Sequence, residues 1–435
     1  MHVPTSARQV SRTPRRTRVL LGALTACSLG IAAVLAGGAT ASADADTGAG
    51  AGAAAEPTEV VVRLDPAITT IDAINAGRGT TTIATSSGLQ GTYLLQLPAG
   101  VDADTAAEEI ETIPGVAWAI ANVALTAPEI DEDRMYAWRM YAWSEGTAVP
   151  AVSAYALDVL RVDVAHRLST GAGVTIAVVD SGVQGDHRAL RGAMAGGIDL
   201  VDHDSDPTEG RNGVDDDGDG FIDEGAGHGT HVAGVIHQVA PGARILAVRV
   251  LDDEGTGSMW ATAEGILWAS ANGARVVNAS LGTHSSADLL KDVVESVTQR
   301  GTLVVGAAGN DGKDRRMFPA AADGAIAVTS VGPGDVRSSF ANHGRWITVA
   351  APGEEIHSTF AFPTGSYAAN SGTSMATPFV SGEAALVLAK RPGATPAQVG
   401  GVIRSTARNI DAANPGFRGE LGSGRIDVGA AVTAA

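Results

Sequence analysis

Three short stretches carry residue types that can act together on an acyl group: VVDSGV at 178–183, GHGTHVAG at 227–234 and GTSMATP at 372–378. Each offers one member of an acid–base–nucleophile set: Asp180, His228 and Ser374. A serine hydroxyl is a poor nucleophile at neutral pH. It needs a histidine to take its proton and a carboxylate to hold that histidine in the right tautomer. A fourth stretch, LVVGAAGN at 303–310, puts Asn310 just after an apolar run, where its amide could donate to an oxyanion. Taken singly, each residue has a plainer meaning. Asp180 suits a strand-end turn, His228 a loop or helix cap, and Ser374 a helix N-cap. His231, three residues beyond His228, reads as structural. The chemical reading is the stronger one because all four motifs occur together, in this order and with these flanks.

Together the motifs resemble the subtilisin family of serine peptidases, in which aspartate, histidine and serine follow the same chain order. The resemblance covers residues 155–432 and, more weakly, 57–126. It implies that Asp180 orients His228, that His228 is the general base and that Ser374 attacks the carbonyl. Asn310 and the backbone amide of Ser374 would stabilise the oxyanion. It implies polypeptide substrates as well. Asn278-Ala279-Ser280-Leu281-Gly282 is similar to the family's strand that pairs with the peptide backbone, and Gly255-Thr256-Gly257 to the opposite rim. A peptide held between two edges gains main-chain hydrogen bonds that ignore side chains. Met317 aligns with the base of the main specificity pocket and Asp311 with its mouth, which implies a partly filled apolar pocket. Two departures stand out. Phe379 occupies a position where the family commonly has histidine. The segment after His228 also runs straight through His237-Gln238 to Val239-Ala240-Pro241, where secreted members insert a calcium-binding loop.

An acidic segment lies instead between Asp180 and His228. Residues 202–224 hold ten carboxylates and one arginine. Within it, Asp215, Asp217 and Asp219 alternate ahead of Gly220, as at the start of an EF-hand-type loop. The usual glutamate at loop position twelve is replaced by Ala226, so Asp223 or Glu224 would close the shell. Oxygen ligands at alternate positions suit Ca2+, which takes six to eight of them. Without a cation this density of like charge repels itself. The bland alternative is a solvated acidic loop.

The elements that must hold these residues follow from hydrophobic patterning. Apolar strand-like runs at 174–179, 245–250, 275–280, 303–307, 326–331 and 346–350 alternate with helical patterns at 228–238, 259–272, 287–300, 374–390 and 395–407. Such alternation predicts a parallel sheet covered by helices on both faces. The fold class expected is therefore α/β. The resemblance makes it a subtilisin-like three-layer fold with a central, mainly parallel sheet, preceded by a small α+β domain. Asp180 and Asn310 then fall beyond the carboxyl ends of strands, where such sheets place their sites. His228 and Ser374 begin helices, whose dipoles favour developing negative charge.

The front of the chain reads as a series of processing segments. Residues 1–43 have a basic head (Arg8, Arg12, Arg15, Arg16, Arg18), an apolar stretch and a small-residue end at Ala41-Ser42-Ala43, the pattern of a removed export signal. Cys27, the single cysteine, opens the alternative of a lipid anchor, but apolar residues continue well past it. Removal of the signal would leave a chain without disulfides. Residues 44–56 read as a flexible spacer. Residues 57–126 alternate strand and helix patterns as β-α-β-α-β, similar to the family's inhibitor-like propeptide, and would act as an intramolecular inhibitor. Residues 127–150 form an acidic and aromatic linker with the processing site, and 151–435 the peptidase domain. The net charge of −18 argues against nucleic acid as a partner. A secreted, extracellular monomer with no stable membrane association is expected. The rival reading is a calcium-dependent binding protein on a degraded protease fold, which a missing member of the Asp–His–Ser set would have favoured.

Overall fold

The computed structural model describes residues 57–127, 154–285 and 287–435. The expectations for the export signal, Cys27, the spacer and nearly all of the linker lie outside the described residues.

The chain starts with β1 (Glu59–Leu64), α1 (Ile71–Arg78), β2 (Thr81–Thr85), β3 (Thr92–Gln96), α2 (Ala103–Glu111), β4 (Val116–Ala121) and β5 (Ala124–Thr126). Four of these strands make an antiparallel sheet in the order β2-β3-β1-β4. Successive strand residues point to opposite faces. Val60 and Val62 accordingly pack with Ile74 of α1 and Ile110 of α2 in the unit's own core. Val61, Leu94, Trp118 and Ile120 join a second cluster with residues of the following sheet and helices. The sequence reading lacks β2, whose exposed, alternating Thr81–Thr85 has little apolar signal.

The rest follows as α3 (Ala154–Val159), α4 (Val162–His166), β6 (Thr175–Asp180), β7 (Met194–Asp199), α5 (His228–Val239), β8 (Arg244–Arg249), β9 (Thr256–Ser258), α6 (Met259–Ala271) and β10 (Val276–Ala279). Then come α7 (Asp288–Gln299), β11 (Leu303–Ala307), β12 (Ile326–Val331), β13 (Val349–Pro352), β14 (Ile356–Phe360), β15 (Ser366–Asn370), α8 (Thr373–Lys390), α9 (Pro396–Thr406) and α10 (Val428–Ala434). Seven strands form one parallel sheet, β13-β12-β11-β10-β6-β8-β7. Residues of α5, α8, α9 and α10 pack on one face and residues of α6 and α7 on the other. This is the α/β, subtilisin-like class expected. α7 shows one apolar stripe, with Leu289, Leu290, Val293, Val294 and Val297 buried. α8 is buried from Thr373 to Leu388 without an exposed face, even at Ser374, Thr377, Ser381 and Glu383.

β6 has β10 on one side and β8 on the other. The chain leaves it in both directions, so its carboxyl end is a switch point of the sheet, the usual position for a site.

Candidate active site

Asp180 is the last residue of β6 and His228 the first of α5. His228 Nδ1 donates to Asp180 Oδ1 at 2.6 Å, and both side chains are buried. Asp180 Oδ1 also accepts from the backbone N–H of Ser181 at 2.8 Å, which fixes the carboxylate. Glycine lets the two elements meet this closely. A Cβ on Gly229 would lie 2.1 Å from the carbonyl oxygen of Gly182. His231, one turn along α5, faces elsewhere: its Nε2 donates to the carbonyls of Ile356 and Ala368 at 2.9 and 3.3 Å. Burial, with the neighbouring His228 charge, lowers its pKa to about 3, so it is a neutral structural donor.

Ser374 sits in the first turn of α8, beyond the N-cap Gly372. Its Oγ donates to the carbonyl of Ser280 at 3.2 Å, and Ser280 Oγ donates in return to the carbonyl of Ser374 at 2.9 Å. The second bond has a structural cause. Pro378 stands four residues after Ser374 and has no N–H for that carbonyl. Ser280, just beyond β10, replaces the missing helical donor and ties the helix start to the strand. Asn310 lies three residues past β11. Its Oδ1 accepts from Thr373 N and Thr373 Oγ1, both at 3.0 Å. That assigns the donor end of the amide, Nδ2, to the other side.

The two expected substrate edges face each other, with a strand of the chain itself between them. β5 pairs antiparallel with β9, Leu125 opposite Gly257. On the other side Thr126 N donates to Gly282 O at 3.3 Å, and Gly282 N donates to Thr126 O at 3.1 Å. Ala127 N donates to Gly255 O at 3.1 Å. Gly255, Thr256, Gly257, Ser280 and Gly282 thus converge through their backbones, whereas the Leu281 side chain is buried in the core. A Cβ on Gly257 would meet Val250 O at 2.0 Å, and one on Gly282 would meet Phe318 O at 2.6 Å, so neither position tolerates a side chain. A cleft of about 360 Å³ opens beside Gly282, Thr283, Asn310, Asp311 and Met317. Burial alone would raise the Asp311 carboxyl. The hydrogen bond from Asn342 and the charges of His284 and Arg315 outweigh it and hold Asp311 below the usual carboxylate range.

In the acidic segment, carboxylate oxygens of Asp215, Asp217 and Asp219 all lie within 4.8 Å of one another. Asp223, expected with them, is not in that group. Its Oδ1 accepts from the backbone N–H of Asn212 and Gly213, which closes the loop on itself. Sequence reasoning missed one carboxyl here and named another, Glu224, only as an alternative to Asp223. Glu254, next to the substrate edge, is 3% exposed and accepts from Asp216 N with Oε1, while Oε2 has no partner among the described residues. Glu224 faces it. Burial and the Glu254 carboxyl push Glu224 up to about 8. Its place near the end of the loop signalled Glu224, whereas nothing in sequence joined Glu254 to a loop some 30 residues away. Glu209 was also missed: it leaves the same segment and reaches the start of α5.

A buried aspartate–histidine pair at a switch point, with a serine in the first turn of α8, is an arrangement of the kind used by serine hydrolases on α/β folds. The subtilase family matches residues 171–424, and the chain belongs to that family: it is a subtilisin-like serine endopeptidase. Thermitase of Thermoactinomyces vulgaris is 40% identical over 59% of this chain and 88% of its own length. Alkaline protease of Alkalihalobacillus alcalophilus is 34% identical over 74% of this chain and 80% of its own. Among solved structures, a protease of Pseudoalteromonas arctica PAMC 21717 is 31% identical with a TM-score of 0.57, covering 63% of this chain and 94% of that one. Fervidolysin of Fervidobacterium pennivorans shares the fold at 24% identity and a TM-score of 0.68, over 87% of this chain and 61% of that one.

Proposed function

We propose that the chain is a secreted endopeptidase, made as a preproenzyme that processes itself, and that Asp180, His228, Ser374 and Asn310 carry its chemistry. Ser374 Oγ attacks the scissile carbonyl as His228 takes its proton. Asp180 holds the Nδ1–H tautomer and stabilises the imidazolium. Asn310 Nδ2 and the Ser374 backbone N–H, at the positive end of α8, receive the oxyanion. His228 then protonates the leaving amine. Water hydrolyses the acyl-enzyme by the same steps in reverse.

The observation that carries this reading is the strand at 124–127. It lies between both substrate edges with backbone hydrogen bonds to Gly255 and Gly282. A strand so held is the product side of a cut made just downstream, within the linker. The unit at 57–126 would then be a propeptide, docked through β5 and through polar contacts: Arg63 Nη1 and Trp118 Nε1 donate to Asp292 Oδ2 at 2.6 and 2.8 Å, and Ser87 N donates to Glu264 Oε2 at 3.1 Å. Val123 O and Asn122 Oδ1 accept from the first N–H groups of α6 and so complete that helix. Export is supported by the pattern of residues 1–43. Among the described residues no helix is long and apolar enough to cross a membrane. The test is Ser374→Ala in the full chain, expressed alone in a protease-free system. It should accumulate uncut, whereas the parent loses its front segment. Maturation of the Ala variant would remove self-processing.

Asp215, Asp217 and Asp219 would hold Ca2+. The donor set fits: three carboxylates converge, and the buried Oε2 of Glu254 and both oxygens of Glu224 have no partner among the described residues. The ion would neutralise this cluster and take no part in the acyl chemistry.

A further inference from the structure

We infer that Glu209 is a positioning residue of the peptidase: its carboxylate clamps the strand end that carries Asp180 to the helix start that carries His228. Glu209 comes from the acidic segment between β7 and α5 and is 5% exposed. Its Oε1 accepts from Gly229 N at 2.9 Å, Gly227 N at 3.2 Å and Thr230 N at 3.4 Å, all at the beginning of α5. The same oxygen accepts from Ser181 Oγ at 2.6 Å, one residue after Asp180. Oε2 accepts from Thr230 Oγ1. Ser181 Oγ in turn accepts from Gly229 N at 3.1 Å, so one hydroxyl joins the residue after Asp180 to the residue after His228. Backbone bonds seat the segment: Val183 N donates to Pro207 O at 2.9 Å. A Cβ on Gly182 would strike Pro207 O at 2.7 Å, so the contact is close enough to require glycine.

α5 has no side-chain cap of its own, because its N-cap is Gly227. Its first N–H groups would otherwise be buried orphans. Glu209 replaces the cap with carboxyl oxygens that accept from these N–H groups, and its ionised form adds a negative charge at the positive end of the helix. The clamp therefore fixes the distance and angle between the two elements whose first and last residues share the 2.6 Å His228–Asp180 bond. The titratable groups around it are Asp180 from β6 and His228 and His231 from α5. Burial pushes Glu209 up to about 7, and the Asp180 charge adds to this, while hydrogen bonds from Ser181 and Thr230 oppose it. Above that pH the ionised Glu209, behind the pair, also favours the imidazolium of His228. This inference rests on the proposed roles of Asp180 and His228. If Ser374→Ala still matured, those roles would fail by themselves, whatever Glu209 does.

The test compares the matured parent with Glu209→Gln, Glu209→Asp and Ser181→Ala, with turnover counted per Ser374 labelled by a fluorophosphonate. Glu209→Gln should lower kcat on the order of tenfold to a hundredfold, with KM within about twofold, because geometry in the transition state suffers rather than the substrate edges. Above about pH 7, where the parent carboxyl is ionised, the loss in kcat should be larger than below it, where Gln resembles the protonated carboxyl. Ser181→Ala should lower kcat by a similar factor on both sides of about pH 7. Glu209→Asp should keep the parent's pH dependence. Glu209→Gln with the parent's kcat at every pH overturns the inference, and so does a kcat loss of the same size on both sides of about pH 7. Should Glu209→Gln not accumulate as folded enzyme, Ser181→Ala decides alone: unchanged turnover overturns the clamp.

Discussion

On the mechanism proposed above, much of the chemistry rests on which way the Asn310 amide is turned. Its oxygen is committed to Thr373, which assigns the donor end, Nδ2, to the proposed oxyanion role. That donor is needed only as charge develops. Asn310→Ala should therefore fold and bind peptide normally but lose about 100- to 1000-fold in kcat with little change in KM. Steady-state kinetics with a chromogenic peptide check this, and an unchanged kcat removes Asn310 from the mechanism. The same residue also marks what a sequence can reveal. The residues proposed for the chemistry, Asn310, Asp180, His228 and Ser374, could be singled out in the sequence because each is embedded in a local motif of glycines and apolar runs. Glu209 could not, since its partners are backbone N–H groups at 227, 229 and 230, which any sequence supplies. Asp223 shows a related limit. Spacing grouped it with the other aspartates, but backbone donors at 212 and 213 capture its carboxylate.

At the scale of elements, legibility followed burial. β11 and β12 are buried along their whole length, so their continuous apolar runs gave their bounds as they stand. β7 escaped because an edge strand reading MAGGID has almost no apolar signal, and its register with β8 shifts between Met194 and Gly197. The hairpin of β14 and β15 escaped as well. It holds buried, hydrogen-bonded hydroxyls, such as Ser358 to His231 O and Thr359 to Thr230 O. α8 was legible, yet it holds a surprise in Glu383, fully buried with neither carboxyl oxygen partnered among the described residues. Burial, and to a lesser degree the charge of Asp427, raises its pKa well above the ordinary value. The sign follows from linkage. A carboxyl whose pKa is raised in the folded state supports the fold fully below its unfolded value. That support is lost as pH rises through the folded value, at no more than about 1.4 kcal/mol per pH unit. Glu383→Gln has the same shape and no titration. In an inactive Ser374→Ala background, the melting temperature of the Gln variant minus that of its parent should grow from pH 5 to pH 9. A difference that stays constant with pH would show that Glu383 ionises without cost.

Across the whole molecule, the acidic segment is the piece that touches everything else. It contributes ten carboxylates to a chain of net charge −18. One end, through Glu209, meets the start of α5. The other meets the substrate edge: Asp216 N donates to Glu254 Oε1, Asn212 N donates to Asp253 Oδ2, and Gly225 N donates to Asp253 O. Asp253 and Glu254 directly precede Gly255, which holds Ala127. Repulsion inside the loop would thus be transmitted to both the catalytic pair and the groove, and a bound cation would relieve it at one point. On the calcium reading proposed above, a site present only in the folded form stabilises it by about 2.7 kcal/mol when the free ion is a hundredfold above its dissociation constant. Melting of the Ser374→Ala chain, which cannot digest itself, should rise with Ca2+ and fall with chelator. Mg2+ should give less, because it prefers a tight octahedron with retained water to a flexible carboxylate cage. Asp217→Asn together with Asp219→Asn should flatten the response to Ca2+. The solvated-loop alternative makes the opposite forecast for that double variant, since removing two like charges from an ion-free loop leaves stability unchanged or raises it. Identical melting curves in chelator, Ca2+ and Mg2+ would therefore dismiss the cation and leave the loop's own hydrogen bonds, through Asp223 and Glu254, as what holds it against its charge.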